Sequence, residues 1–360
     1  MTTKKQMKSG NRVKNLFFRR FENGTVLLIF LGFIALIIVL QLILFGIGKF
    51  PTFISPVNIM NILQQVSVPG IIAVGMTLIM ISGGIDLSVG MLASLVSIIT
   101  ALGISKWNLG VPMAILLGIM SAVVLETIMG FIISRTKAEP FIITLGGMIT
   151  FQGIALLLSH SREVVMQGEL NFLTRNLIEG TKDPVTGLDL RLPPYVLIFF
   201  VIALIGGLML SYTKYGRRIY SIGTNPYAAY LAGINVKNMR LSVYMIQGLL
   251  TGIGAVLLLA RINTGIITLG ENLEIDTIAM VVIGGTALSG GKGNIVGTLI
   301  GIFFLGSIGN AMNLLRLPSE VQFLAKGLVI IISVSAGDIS LKITEFRKKR
   351  RELQQMASKT

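Results

Sequence analysis

A soluble chain of 360 residues would hold two or three domains, but here 53% of the residues are hydrophobic and only 13% are charged. A water-facing surface needs about 25% charged residues, so this composition and a mean hydropathy of +0.81 exclude a soluble enzyme and point to an integral membrane protein. The net charge of +15 does not point to nucleic acid, because the basic residues sit beside apolar runs: Lys4, Lys5, Lys8, Arg12, Lys14, Arg19 and Arg20 precede the first, and Lys342, Arg347, Lys348, Lys349, Arg350 and Arg351 follow the last. Retention of positive charge in the cytoplasm, facing anionic lipid, leaves that distribution. Cysteine is absent and histidine occurs once, as His160, which excludes disulfides and thiolate chemistry, and no metal site is expected.

The first apolar run, Thr25 to about Gly46, exceeds the 7–15 residue core of a signal peptide and has no small-residue cleavage site after it. It is read as a retained span. Further spans, each needing about 20 residues, are expected at Ile59–Ile81, Leu87–Ile104, Val111–Ser134, Phe141–Ser159, Pro194–Tyr212, Leu241–Arg261, Ile275–Gly290, Ile295–Leu315 and Val321–Ala336. The fold class is therefore an all-α polytopic bundle of about ten transmembrane spans with broken or re-entrant segments. Residues 1–24 and 337–360 become basic cytoplasmic tails around a membrane domain of 25–336, with an extracytoplasmic loop at 160–193 and a cytoplasmic loop at 213–240. An even count returns both ends to the cytoplasm, and it places Arg135, Lys137, Lys214, Arg217, Arg218, Lys237, Arg240 and Lys292 inside. An eight-span version with re-entrant segments keeps the same ends.

Glycine is abundant, at 41 residues. In lipid, small residues are favoured because they let helices approach closely, and Gly293, Gly297 and Gly301, like Gly248 and Gly252, recur every four residues. They are read as packing positions before substrate contacts. Pro69, Pro112 and Pro140, near span borders, fit interrupted or kinked helices.

Three segments carry the functional reading. Ser82–Gly90, SGGIDLSVG, places Asp86, Ser88 and three glycines where two apolar spans meet. A charge in the bilayer costs about 2.5–3.5 kcal/mol or more, so Asp86 either caps the next helix or stands at a transport path. Gly284–Gly291, GGTALSGG, echoes it, with Thr286 and Ala287 where the first copy has Ile85 and Asp86. Glycine-broken segments in separate halves of a membrane protein point to a central site, here with Gly83, Gly84, Asp86, Ser88 and Ser289 as its polar and flexible members. In the polar loop Tyr215–Arg240, Asn225 suits a helix cap, Pro226 its first turn and Gly233 its end, which predicts a short amphipathic helix.

GGIDLSVG, GGTALSGGKGNIVGTLIG, SIGTNPYAAYLAGINV and the block PFIITLGG at Pro140–Gly147 together resemble the permease subunit of bacterial ABC importers for ribose, galactosides, xylose and related monosaccharides. The resemblance covers nearly the whole chain beyond the first twenty residues. It implies a bacterial inner-membrane location, an extracytoplasmic sugar-binding protein, a second permease subunit and a cytoplasmic ABC ATPase. ATP and magnesium would lie on that ATPase, with no cofactor in this chain. The inside loop then resembles a coupling helix seated in the ATPase, through Asn225, Tyr227, Ala228, Ala229 and Gly233. Members of that family often carry an acidic residue where this chain has Tyr227.

The expected function is that of a translocation subunit with no enzyme activity of its own, since the sequence has no GxxxxGK[ST] phosphate loop. Permeases for nucleosides, branched-chain amino acids or a sugar-like signal are alternatives within the ABC reading. An ion-coupled secondary transporter would need ionisable residues in its spans, and only Asp86, Glu126 and Asp276 qualify.

Overall fold

A computed structural model describes residues 24–46, 53–184 and 186–331. The chain divides into two compact units, Met1–Ala311 and Met312–Thr360. In chain order the helices are α1 (Gly24–Gly46), α2 (Pro56–Ile81), α3 (Val89–Ser105), α4 (Val111–Arg135), α5 (Pro140–Ser159), α6 (Pro194–Tyr212), α7 (Lys214–Thr224), α8 (Pro226–Leu231), α9 (Val236–Ile262), α10 (Leu273–Ile283) and α11 (Ile295–Leu314). Among the described residues six of them, α2, α4, α5, α6, α9 and α11, are long and apolar enough to cross a membrane. The protein is a helical membrane protein.

Burial sorts these helices into two layers. In α2 and α9, 72% of the most apolar window is buried, against 22% in α4 and α5. The outer helices carry Leu116, Phe131, Ile149, Leu157 and Leu204 exposed. Helices that are apolar all round and keep such residues outside are built for a hydrocarbon solvent. The inner helices meet through glycine, as the four-residue spacing predicts. A Cβ on Gly248 of α9 would lie 2.6 Å from the Ala122 carbonyl and 2.8 Å from Glu126 Cβ, and one on Gly252 would lie 3.0 Å from Ile119 Cα, all on α4. Gly297 and Gly301 bring α11 against Met280 and Gly284 in the same manner, whereas Gly293 precedes the helix and has φ +147°. Thr77 of α2 and Thr298 of α11 are hydrogen-bonded through their hydroxyls at 2.8 Å.

Three expectations change. Pro112 and Pro140 lie in the first turns of α4 and α5, and Pro69 sits inside an unbroken α2. Proline's missing N–H has no intrahelical role in a first turn, so the border prolines start helices and do not kink them. The eighth apolar segment is not one helix over Ile275–Gly290, because α10 ends at Ile283. Eleven residues rise about 16 Å, half of a hydrocarbon core of about 30 Å. Before α10 the chain runs non-helically along α3, with Gly265 against Ala101 and Gly270 against Gly90 and Ser94; the Gly270 N–H donates to Ser94 Oγ at 2.9 Å.

The loop expected outside the membrane is tied down by its own backbone. Val164–Val165 (β1) pairs antiparallel with Thr264–Gly265 (β2), and Asn176 binds Leu190 and Leu192 through its amide. In the second unit a turn at Arg316, φ +56°, is closed by Leu317 N–H to the Met312 carbonyl at 3.0 Å, and residues 319–331 are helical. The expected terminal tails, 1–24 and 337–360, lie outside the described residues except for Gly24.

Candidate functional site

The two glycine-rich segments are the same structural device. At the end of α2, Ser82 N–H donates to Leu78, Gly83 to Met80 and Gly84 to Ile79. At the end of α10, Gly284 N–H donates to Met280, Gly285 to Val282 and Thr286 to Val281. Both stops place a glycine in the left-handed region, Gly83 at φ +86° and Gly285 at φ +84°, where a side chain would be strained. The structural register thus pairs Gly83 with Gly285, one residue off the sequence echo, which set Gly83 against Gly284. Letters alone aligned the two GG pairs, whereas the hydrogen bonds align the turns.

The two breaks meet. Gly291 N–H donates to the Ile81 carbonyl at 2.9 Å, and a Cβ on Gly290 would lie 2.9 Å from both Gly83 Cα and the Gly223 carbonyl. Gly223 belongs to α7, an amphipathic helix that buries Gly216, Ile219 and Ile222 and exposes Arg217, Arg218 and Ser221. Tyr220, also on α7, donates its hydroxyl to the Gly293 carbonyl at 2.7 Å. The predicted short helix, α8, follows at once. Asn225 caps it by accepting from Ala228 N–H at 3.0 Å. It closes with Gly233 N–H to Tyr230 and Ile234 N–H to Ala229, with Gly233 at φ +79°. Cap, proline and terminal glycine stand where the sequence placed them. Tyr227, Tyr230 and Leu231 are about two-thirds exposed, while Ala229 is buried. Tyr230 and Leu231 had not been singled out; their signal is their spacing from Tyr227 on one short helix.

Asp86 and Ser88 lie deeper and line no open surface, both at 0% exposure. Asp86 Oδ1 accepts from the Ser88 N–H at 2.8 Å and from its hydroxyl at 2.6 Å. That hydroxyl also reaches Glu126 Oε1 on α4, at 3.1 Å. Ser88 is the N-cap of α3 and makes no side-chain cap bond, so Asp86 braces the residue before the helix and leaves the first-turn donors alone. Thr144, from the PFIITLGG block, accepts from Leu87 N–H at 3.1 Å and lies 3.3 Å from the Ile85 carbonyl. Tyr244 of α9 is buried beside Gly84, whose Cβ would come 2.9 Å from the phenol oxygen. Asp86 Oδ2, Glu126 Oε2 and the Tyr244 hydroxyl have no partner among the described residues. Of the ionisable residues expected in spans, Asp86 and Glu126 are buried; Asp276 is half-buried, and Glu274, which the sequence reading passed over, is buried against Gly90. Among the described residues no three acidic or histidine side chains gather to hold a metal ion. Ser289 is exposed, in the second break, and Gly83 is exposed in the first.

Comparison with known proteins agrees with this arrangement of motifs. A family model described as branched-chain amino acid transport system / permease component matches residues 58–334. The chain is 38% identical over 305 residues to the ribose import permease protein of Bacillus subtilis (strain 168), covering 85% of this chain and 90% of that protein. It is 36% identical to the ribose import permease protein of Haemophilus influenzae, over 88% of this chain and 95% of the relative. The xylose transport system permease protein of the same organism is 30% identical, over 81% and 91%. No solved structure matches the chain. A match that spans both glycine breaks and the α7–α8 loop establishes that this chain belongs to the membrane permease family described as the permease component of branched-chain amino acid transport systems.

Proposed function

We propose that this chain is the permease subunit of an ATP-binding-cassette importer and carries a monosaccharide, ribose being the first candidate. The observation that carries the reading is near-full-length similarity to two ribose import permeases at 36–38% identity, against 30% for the xylose protein. The partners are a cytoplasmic ATPase holding ATP and magnesium, an extracytoplasmic sugar-binding protein, and a second permease subunit, either another copy or a paralogue. The location is a bacterial inner membrane, with ten membrane segments and both termini cytoplasmic. Two of those segments are only partly helical: residues 82–88 precede α3, and residues 266–272 precede α10.

The mechanism follows from how the elements are joined. Asn225, Tyr227, Ala228, Ala229 and Gly233 form the seat for the ATPase, with Tyr227, Tyr230 and Leu231 as its exposed apolar contacts. Closure of the ATPase moves α8 and with it α7. That motion is delivered to Gly83, Gly84 and Ser289 at the inner end of the path, while Asp86 and Ser88 flank it and hold the first break against α4. Access then switches between two packed arrangements.

The test is uptake by the reconstituted complex of permease, ATPase and binding protein. ATP-dependent ribose uptake is expected to persist when an uncoupler removes the proton gradient at constant ATP. Uptake that collapses with the gradient while ATP holds would overturn the importer reading. Transport of leucine in place of ribose or xylose would overturn the sugar assignment alone.

A further inference from the structure

Gly223 has a demanding environment for a residue on a polar loop helix. A Cβ built there would overlap the Ile81 carbonyl oxygen and lie 2.7 Å from the Gly291 amide nitrogen. Those two atoms are the acceptor and donor of the hydrogen bond that joins the two breaks. Any side chain at 223 must therefore part the first break from the second. The contacts around it are backbone on backbone. Gly290, at φ +82°, faces the Gly223 carbonyl, and a Cβ on Gly291 would lie 3.0 Å from Thr224 Cα. Tyr220, one turn earlier, grips the far end of the second break at the Gly293 carbonyl. Two residues after Gly223 comes Asn225, which caps α8.

We propose that the contact of Gly223 with Ile81 and Gly290–Gly291 is the joint through which the α7–α8 loop moves both helix breaks as one body, with Gly223 as its positioning residue. The inference rests on the importer reading and adds to it the point at which force enters the membrane domain. Backbone contact without side chains leaves no rotamer to absorb a displacement, since tightly packed groups shift together. The hydrogen bond between the breaks makes them respond to one input. The loop thus needs no direct contact with Asp86 or Ser88, which lie beyond the first break.

The experiment is the ratio of ribose imported to ATP hydrolysed in the reconstituted full complex. Gly223→Ala is expected to co-purify with the ATPase and hydrolyse ATP at the wild-type basal rate, yet import at less than about a tenth of the wild-type ratio. Gly153→Ala, on α5 with nothing within 4 Å of the added carbon, is expected to keep the wild-type ratio. An unchanged ratio in Gly223→Ala overturns the joint. If that variant does not assemble, Tyr220→Phe decides, because it removes one hydroxyl bond without adding an atom. A severalfold fall in its ratio supports the joint, and a wild-type ratio overturns it. Failure of the importer reading itself appears in the wild-type complex, as ATP turnover without import, before any variant is made.

Discussion

Ser88 holds a position that few side chains could fill. Its hydroxyl carries one hydrogen and lies within reach of two buried carboxyl groups, Asp86 at 2.6 Å and Glu126 at 3.1 Å, and its backbone N–H serves Asp86 as well. Deleting one partner of a buried polar group leaves the other unsatisfied, at a cost of about 1–3 kcal/mol. Ser88→Ala is therefore expected to lose stability in that range, read as a fall in the apparent melting temperature of the detergent-solubilised protein. Ser221→Ala, whose hydroxyl returns only to the Arg217 carbonyl of its own exposed helix face, serves as the reference and is expected to lose less than half as much. Equal losses would mean that the carboxyl pair does not depend on the serine. Glu126→Gln keeps an acceptor toward Ser88 and is expected to melt closer to wild type than Ser88→Ala.

At the scale of elements, α8 is the clearest case of a sequence that states its own structure. Asn225, Pro226 and Gly233 mark a cap, a first turn and a stop by backbone chemistry alone, and all three stand in those roles. The same holds for the packing of Gly248 and Gly252, because four-residue spacing is a local property. What was not legible depends on contacts between distant residues. Glu126 meets Ser88 across 38 positions and Gly291 meets Ile81 across the whole membrane domain. The end of α10 at Ile283 was hidden because an apolar run in lipid looks the same whether it is helical or not. Tyr230 and Leu231 became visible only once the helix fixed which faces are bare. If they and Tyr227 form the ATPase seat, truncating a central aromatic should cost about 2 kcal/mol or more of association. Tyr230→Ala is thus expected to weaken ATPase binding by more than tenfold, measured by retention of the ATPase on immobilised permease. For Tyr227→Lys, solute-stimulated ATP turnover is expected to fall, and unchanged stimulation would remove Tyr227 from the seat.

For the whole molecule, the shortness of α10 bears directly on topology. A helix of eleven residues does not cross alone, so the proposed even number of segments requires the non-helical residues before it to complete the passage. The structure supplies a reason to expect that they do. Gly291 packs on Thr224, and Lys292 follows it, exposed, so Lys292 must emerge on the same side as the basic loop of Arg217 and Arg218. Positive residues are retained on the cytoplasmic side, which puts Lys292 inside. Absence of cysteine from the sequence makes this directly measurable, since each introduced thiol is the only one present. A membrane-impermeant maleimide is expected to label Lys182→Cys, on the loop after α5, in cells with an intact inner membrane. Lys137→Cys, between α4 and α5, and Lys292→Cys are expected to react only after that membrane is opened. Labelling of Lys292→Cys from the outside would break the even count. It would also separate the second helix break from the α7–α8 loop, and with it the joint at Gly223.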